Sequence, residues 1–426
     1  MKFNKWTVGL AAIGVVSLAS AARADEAKMS QVQTALSNTT ISGYVSASFN
    51  WAMSPGAYGY QNSPAMGIPF QGPNKQDGFN LDVVKLSIAK PLDESPWAAG
   101  YQVDLLFGPD AVGYNPTSGN VGGHGASSSD ISIKQAYIAL QTPVGNGIDW
   151  KMGVFDSPLG YESFDAGSNP NYTRSWGYAI EPTELTGVIA SYKFCDEFSL
   201  SAGIANTLMA GINARAWTYT YDYMLGNRDW HKAFLASATF TGPSSWGWAA
   251  GSSLYAGIVY GFNGQNAGND GFHQGGDQIN YYAGATLNTP WKQLTVGAAF
   301  DYAQNYLGGT EDIDPEYDEY YTSYGNVLAA GVYATFKATD KLSFNARGEY
   351  VYGDLRTVGY DESSGVLHSS ADGFELTGTL EYDLWANVIS RLEIRWDHAS
   401  HHYDIFSDYL DHTTSVGFYA NVIYKF

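Results

Sequence analysis

The segment 416–426, VGFYANVIYKF, decides how this chain is to be read. Val416, Phe418, Ala420, Val422, Tyr424 and Phe426 share one parity, and Gly417, Tyr419, Asn421, Ile423 and Lys425 share the other. In a β-strand alternate side chains point to opposite faces, so this strand has one apolar face and one mixed face. An apolar face must be covered, by a protein core or by lipid. The rest of the sequence chooses between them.

The same alternation returns throughout the chain. Ile41, Gly43, Val45, Ala47, Phe49 and Trp51 alternate with Ser42, Tyr44, Ser46, Ser48 and Asn50. Comparable runs begin at Ala99, Ile148, Leu294 and Leu392, each close to the 9–11 residues a tilted membrane strand needs. In FNLDVVKLSIAK the apolar parity switches at Val83-Val84, which predicts a bulge. In ISIKQAYIALQ both faces are equally apolar and neither is assigned. About sixteen strands fit between Thr40 and Phe426, the even number of single-chain bacterial barrels.

The connections sort by length. PLDESP, TPVGNG, CDE, TGPSS, NTP, KATDK and LWAN are tight turns. Between them lie long polar stretches: 52–78, 109–130, 157–186, 207–231, 262–277, 304–325, 353–372 and 399–413. Short turns alternating with long loops are the organisation of an outer-membrane barrel, turns in the periplasm and loops outside. A soluble sandwich has no reason to sort its connections this way. Aromatic residues gather at both strand ends, with Trp97, Trp150, Trp248 and Tyr424 at the turn side and Trp51, Phe107, Tyr260, Tyr302 and Trp396 at the loop side. Lipid–water boundaries favour that placement. The expected fold is therefore an all-β transmembrane antiparallel β-barrel, with Phe426 facing lipid at the periplasmic rim.

Composition agrees. The chain has 426 residues, rich in Tyr, Trp, Phe and Gly, with only 15% charged. That favours strands and turns over helices. Its one long apolar block is WTVGLAAIGVVSLAS, preceded by Lys2 and Lys5 and followed by Ala22-Arg23-Ala24. Residues 1–24 read as a signal peptide, 25–39 as a periplasmic N-terminal segment and 40–426 as the barrel. No later segment is apolar for the ~18 residues a membrane helix requires. Loss of the leader removes three basic residues and no acid, taking the net charge from -20 to -23. So acidic a chain argues against nucleic acid. The single Cys195 can form no internal disulfide. The partners expected are outer-membrane lipid and lipopolysaccharide, small hydrophilic solutes or ions, and a homotrimer of the chain as one open assembly.

Gly147–Phe194 is more particular. Its elements Gly153-Val154-Phe155, Gly160-Tyr161-Glu162, Asn169 to Ser175 (NPNYTRS), Pro182 and Thr186-Gly187-Val188 resemble the β-barrel porin-2 family. The resemblance extends over most of Thr40–Phe426, including LDVVKLSIAKPLDE and QVDLLFGPDA. Where the family often has Ser before the arginine, this chain has Thr173. The resemblance implies a pore-forming barrel and brings no established substrate or catalytic residue with it.

A barrel of this size leaves room for an aqueous channel, so lumen-facing residues and any loop folded inward decide what passes. General porins fold their third loop inward. Here the third long loop carries Glu162, Asp165, Arg174, Glu181 and Glu184, the expected constriction. The inward parity of the thirteenth strand brings Ser343, Asn345, Arg347 and Glu349, and the fifteenth brings Arg391, Glu393, Arg395 and Asp397. Acids on the loop facing arginines on the wall would set a transverse field; the alternative is a ladder of solvated salt bridges that stiffens the wall. His398, His401, His402 and His412 beside Asp397 and Asp404 match no specific metal spacing, and EDIDPEYDE (311–319) lacks the glycine and closing Glu of a calcium loop. No metal or cofactor is expected. Nor is an enzyme, since G-x-S-x-G, H-E-x-x-H and GK[ST] are absent. The reading is a porin for passive diffusion with a mild cation preference in the bacterial outer membrane; the competing one is a structural or surface-binding barrel whose loops block its lumen.

Overall fold

The computed structural model describes residues 38–53, 75, 77–114, 131–208, 212–213, 231–262, 274–275, 277–314, 319–359, 367–400 and 414–426. The leader, His401, His402, His412, Asp404 and 315–318 of the acidic stretch lie outside the described residues. Sixteen long strands form one antiparallel sheet closed on itself. They are β1 (Thr40–Ala52), β2 (Gly78–Lys90), β3 (Ala99–Phe107), β4 (Ile131–Thr142), β5 (Ile148–Asp156), β6 (Glu184–Lys193), β7 (Phe198–Ala205) and β8 (Ala233–Thr241). There follow β9 (Ser253–Phe262), β10 (Asp277–Asn288), β11 (Leu294–Asp314), β12 (Glu319–Lys337), β13 (Leu342–Gly359), β14 (Leu367–Trp385), β15 (Val388–Ala399) and β16 (Thr414–Lys425). A two-residue strand, Gln274–Gly275, pairs with Gly309 and Thr310 of β11.

Closure is made by β1 and β16, which pair antiparallel from Tyr44↔Lys425 to Ala52↔Gly417. Phe426 extends the seam: its N–H donates to the Gly43 carbonyl and its carbonyl accepts from Gly43 N–H, both at 2.9 Å. Unpaired backbone groups in lipid cost several kcal/mol each, so the seam has to be complete. Removing Phe426 deletes both bonds at the rim and leaves the lumen untouched. Outer-membrane levels of the deletion are expected to fall while the conductance of whatever folds stays unchanged; normal levels would contradict this.

The parity of the opening segment is the parity of the barrel. On β16 Ser415, Tyr419, Asn421 and Ile423 are buried inside, while Val422 and Tyr424 are exposed on the outer face. Aromatic residues stand out at both ends of that face, Trp97, Trp248, Trp291 and Trp385 at the turns and Trp51, Phe79, Phe234 and Tyr260 toward the loops. The β2 bulge falls at Asp82: Ser46 pairs with Val83 and Ala47 with Leu81, and the skipped carboxylate turns inward. A second bulge explains why β4 gave no parity. The register jumps between Asp104↔Gln135 and Leu105↔Ile133, leaving Lys134 and Gln135 both buried on the inner side.

Two expected loops are not loops. The described parts of the polar stretches 304–325 and 353–372 continue their strands, so that β11 pairs with β12 out to Asp314↔Glu319 and β13 with β14 out to Thr357↔Leu367. Polarity marks the exit from lipid, but the ladder does not need lipid: backbone pairing continues wherever two strands stay side by side. The turns behave as expected. The tightest, Ala386-Asn387, places Asn387 at φ 65, the left-handed region Asn tolerates, and its carbonyl accepts from Lys425 N–H at 2.9 Å.

Candidate functional site: a loop drawn into the lumen

Residues 157–183 leave β5 and return to β6, and Ser157 N–H to the Thr183 carbonyl (3.1 Å) ties their base. The loop packs against the inner wall and not above it. Leu159 belongs to an apolar cluster with Phe155, Leu185, Leu235, Val259 and Tyr282. Tyr161 stacks on Tyr333 of β12 with ring centroids 4.2 Å apart. Its hydroxyl lies against Gly297, where any Cβ would overlap it. Further on, Trp176 and Ile180 are buried with Val327, Ala329 and Val351 of β12 and β13. Phe164 and Ala166 pack with Tyr44, Val83, Ile389 and Ile423.

Charged residues of the wall hold the loop by its backbone. Arg347 of β13 donates to the Thr173 carbonyl and to Glu162, both at 2.8 Å, and pairs with Glu375 of β14 at 3.0 Å. Arg391 of β15 donates to the carbonyls of Ala166 and Asn169, both at 2.7 Å, and pairs with Glu381 at 2.8 Å. Arg395 donates to the Arg174 carbonyl and pairs with Asp397 at 2.7 Å. Two wall carboxylates do the converse. Glu393 accepts the N–H groups of Tyr172 (2.6 Å) and Thr173 (2.8 Å), and Glu349 those of Trp176 (2.5 Å) and Gly177 (2.7 Å). Within the loop Glu162 accepts from Ser175 N–H at 2.9 Å. Ser175 caps the short helix α1 (Trp176–Ile180) by accepting from Tyr178 N–H at 3.0 Å. A polypeptide has many unpaired N–H and C=O groups, and burying it needs partners for them. The forked guanidinium and the two-oxygen carboxylate supply them in pairs.

The sequence-expected residues therefore come together, in particular relations. Glu162, Arg174, Arg347, Glu349, Arg391, Glu393 and Arg395 are all buried, and none of the three wall arginines faces solvent alone. Asp165 reaches β1 and β2, where both its oxygens lie 2.9 Å from Lys85 of β2 and one accepts from Tyr44 of β1 at 3.1 Å. Burial alone would raise its pKa, but Lys85 and these hydrogen bonds hold it below the ordinary carboxylate value. Glu184 is not in the loop but opens β6, its Oε2 3.9 Å from Lys134 of β4. Glu181 lies within hydrogen-bonding reach of Asp301 on β11; burial first and that second carboxyl next push its pKa well above the ordinary glutamate value. Asp82, Lys85, Lys134, Asp301, Glu375 and Glu381 were missed. Their signal was present: each sits at an inward parity position once the two bulges are placed. His398 stacks on Trp396 and meets Thr414 at 3.0 Å; among the described residues no three His, Cys, Asp or Glu side chains are grouped to hold a metal.

A closed sixteen-stranded antiparallel barrel with apolar outer face, aromatic ends, short turns at one rim and a loop folded into its lumen defines a bacterial outer-membrane porin. The chain belongs to the family described as "Putative beta-barrel porin-2, OmpL-like", whose model matches residues 38–426. Solved barrels share the fold. The outer-membrane channel DcaP of Acinetobacter baumannii is 14% identical, with 93% of this chain and 100% of that chain covered at a TM-score of 0.55. The trimer form of the outer-membrane protein OmpT of Vibrio cholerae is 12% identical, covering 91% and 99%, at 0.51. An anion-selective porin from Comamonas acidovorans is 11% identical, covering 91% and 99%, at 0.51. Comparison with curated proteins gives no match.

Proposed function

We propose that the barrel passes small hydrophilic solutes and ions by passive diffusion, with a mild preference for cations and no chemistry on what it carries. The observation that carries this reading is the loop drawn into the lumen, its backbone fastened to β13 and β15 by Arg347, Arg391 and Arg395; in this reading it narrows the passage. In this reading residues 1–24 direct export, 25–39 lie in the periplasm, and lipid, lipopolysaccharide and further copies of the chain surround the barrel. Its neighbours in fold include one anion-selective porin, so the fold alone does not set the sign of selectivity. Charge does. A mature chain of net charge -23 concentrates cations at the mouth.

Liposomes containing the protein should swell in isotonic sugars at rates that fall with sugar size. Folded barrel that admits not even the smallest sugar would favour the loop-blocked, surface-binding alternative. The cation preference should weaken with salt, since the Debye length falls from ~30 Å at 0.01 M to ~3 Å at 1 M. Zero-current potentials under KCl gradients of rising mean concentration measure it. A preference for anions, or one indifferent to salt, would contradict the charge assignment.

A further inference from the structure

The loop's polar contacts run to β1, β2 and β10–β16, and its Phe164 ring lies 5.6 Å from Lys134 Nζ on β4. The inner face of β3–β5 carries its own charges: Asp104, Lys134, Asp149, Lys151 and Asp156. Most are neutralised locally. Asp104 meets Lys85 at 3.1 Å and Gln135 at 3.2 Å, and Asp156 pairs with Lys134, while Asp149 accepts from Gln141 at 3.0 Å, a neutral amide that leaves its charge in place. Lys151 differs. Its Nζ stands 4.7 Å from the ring centre of Tyr137 and has no carboxylate oxygen of the described residues within 4.0 Å. Only 9% of the residue is exposed, and it projects from the inner face of β5 while its neighbour Met152 is on the outer one. It pairs across the ladder with Ala139 and Ile189, nearer the turn rim than the Lys134–Asp156 pair. Meanwhile Asp156 and Asp165 keep 30% and 36% of their side-chain surface exposed, which opens this sector to the lumen.

We infer that Lys151 is a specificity-determining residue of the channel: a cation on the wall of β3–β5 with no carboxylate partner among the described residues, whose field acts on passing ions. The inference rests on the porin reading. Arg347, Arg391 and Arg395 are closed off in ion pairs under the loop backbone, and a pair presents a dipole whose field dies quickly. An aromatic ring attracts a cation through its quadrupole but cancels none of its charge. Lys151 therefore restrains the cation preference set by the acidic mouth, and the three arginines have little direct part in it.

The test is charge substitution with chemical restoration. The permeability ratio of K⁺ over Cl⁻ should be unchanged in Lys151→Arg and should rise about five- to thirtyfold in Lys151→Gln, since a unit charge at about 4–8 Å in water shifts the two ions about two- to sixfold each in opposite directions. Lys151→Glu should raise it further. In a Cys195→Ser background, which removes the exposed turn thiol, Lys151→Cys should react with charged methanethiosulfonates added to the bath. A trimethylammonium reagent should restore the wild-type ratio and a sulfonate reagent should move it the other way. Equal ratios in wild type, Lys151→Gln and Lys151→Glu would overturn the inference, as would a cysteine that neither reagent reaches in a conducting channel. A folded wild-type barrel that conducts nothing would instead overturn the porin reading, so the two failures are distinct.

Discussion

Replacing Arg347 with alanine is expected to unfasten the loop from the wall and turn a quiet, narrowed channel into a wider, noisy one. Arg347 is fully buried between Glu162 of the loop and Glu375 of β14, and it also holds the Thr173 carbonyl. Without it two buried carboxylates lose their countercharge. Breaking a buried pair from one side costs about 3–5 kcal/mol, because the remaining charge is stranded. Docking of the loop has to absorb most of that, since Arg347 keeps its place in the backbone ladder between Tyr333 and Thr377 whatever its side chain. Single-channel records should show larger mean conductance with frequent transitions, and an added protease should cut within 157–183. A variant carrying Arg347→Met, Glu162→Gln and Glu375→Gln together removes charge from all three groups and should recover part of the quiet behaviour. Arg347→Ala channels that match wild type in conductance and noise would show that the loop is not held here.

The second large effect is on pH. Glu181 closes the loop just before β6 and shares its site with Asp301, whose Oδ1 has no other partner. Glu162 of the loop and Glu349 of β13 add further negative charge, Tyr282 of β10 stands beside the pair, and the nearby Arg347 is committed to Glu162 and Glu375. Two carboxyl groups in contact and out of water bind together only while one keeps its proton. A carboxyl whose value is raised on docking favours the docked loop fully below its free value, about 4.3, and that advantage disappears as pH climbs through the raised value. The wild-type loop should thus be steady under acidic conditions and loosen toward alkaline pH, with current noise that grows as pH climbs above the free glutamate value. Glu181→Gln holds the hydrogen bond without needing a proton and should stay quiet over the whole range. Noise that increases toward acid, or that is the same in Glu181→Gln, would remove this latch.

Strand identity, outward parity and a bulge in β2, expected at Val83-Val84 and found at Asp82, were legible, because lipid on one face forces strict alternation. The limits of the ladder were not. Outside lipid nothing forces alternation, so the described parts of 304–325 and 353–372 are polar without pattern and keep their pairing. Lys134 hid the face of β4 for a related reason, since one extra residue in a strand reverses every parity after it. At the site, the sequence singled out Arg347, Arg391 and Arg395 as inward charges but offered no view of their partners. A guanidinium aimed at water and one aimed at the carbonyl of Ala166 or Thr173 look alike in a strand pattern. Glu349 and Glu393 became meaningful only when the loop backbone was seen lying on them.

Single-channel recording of the purified, folded protein in a planar bilayer asks most directly whether this is a pore narrowed by its own loop. Discrete open-channel steps that persist at low voltage are expected, with larger steps once residues 158–181 are replaced by a short Gly/Ser linker. A silent bilayer with both the intact and the shortened barrel, each verified as folded and inserted, would contradict it.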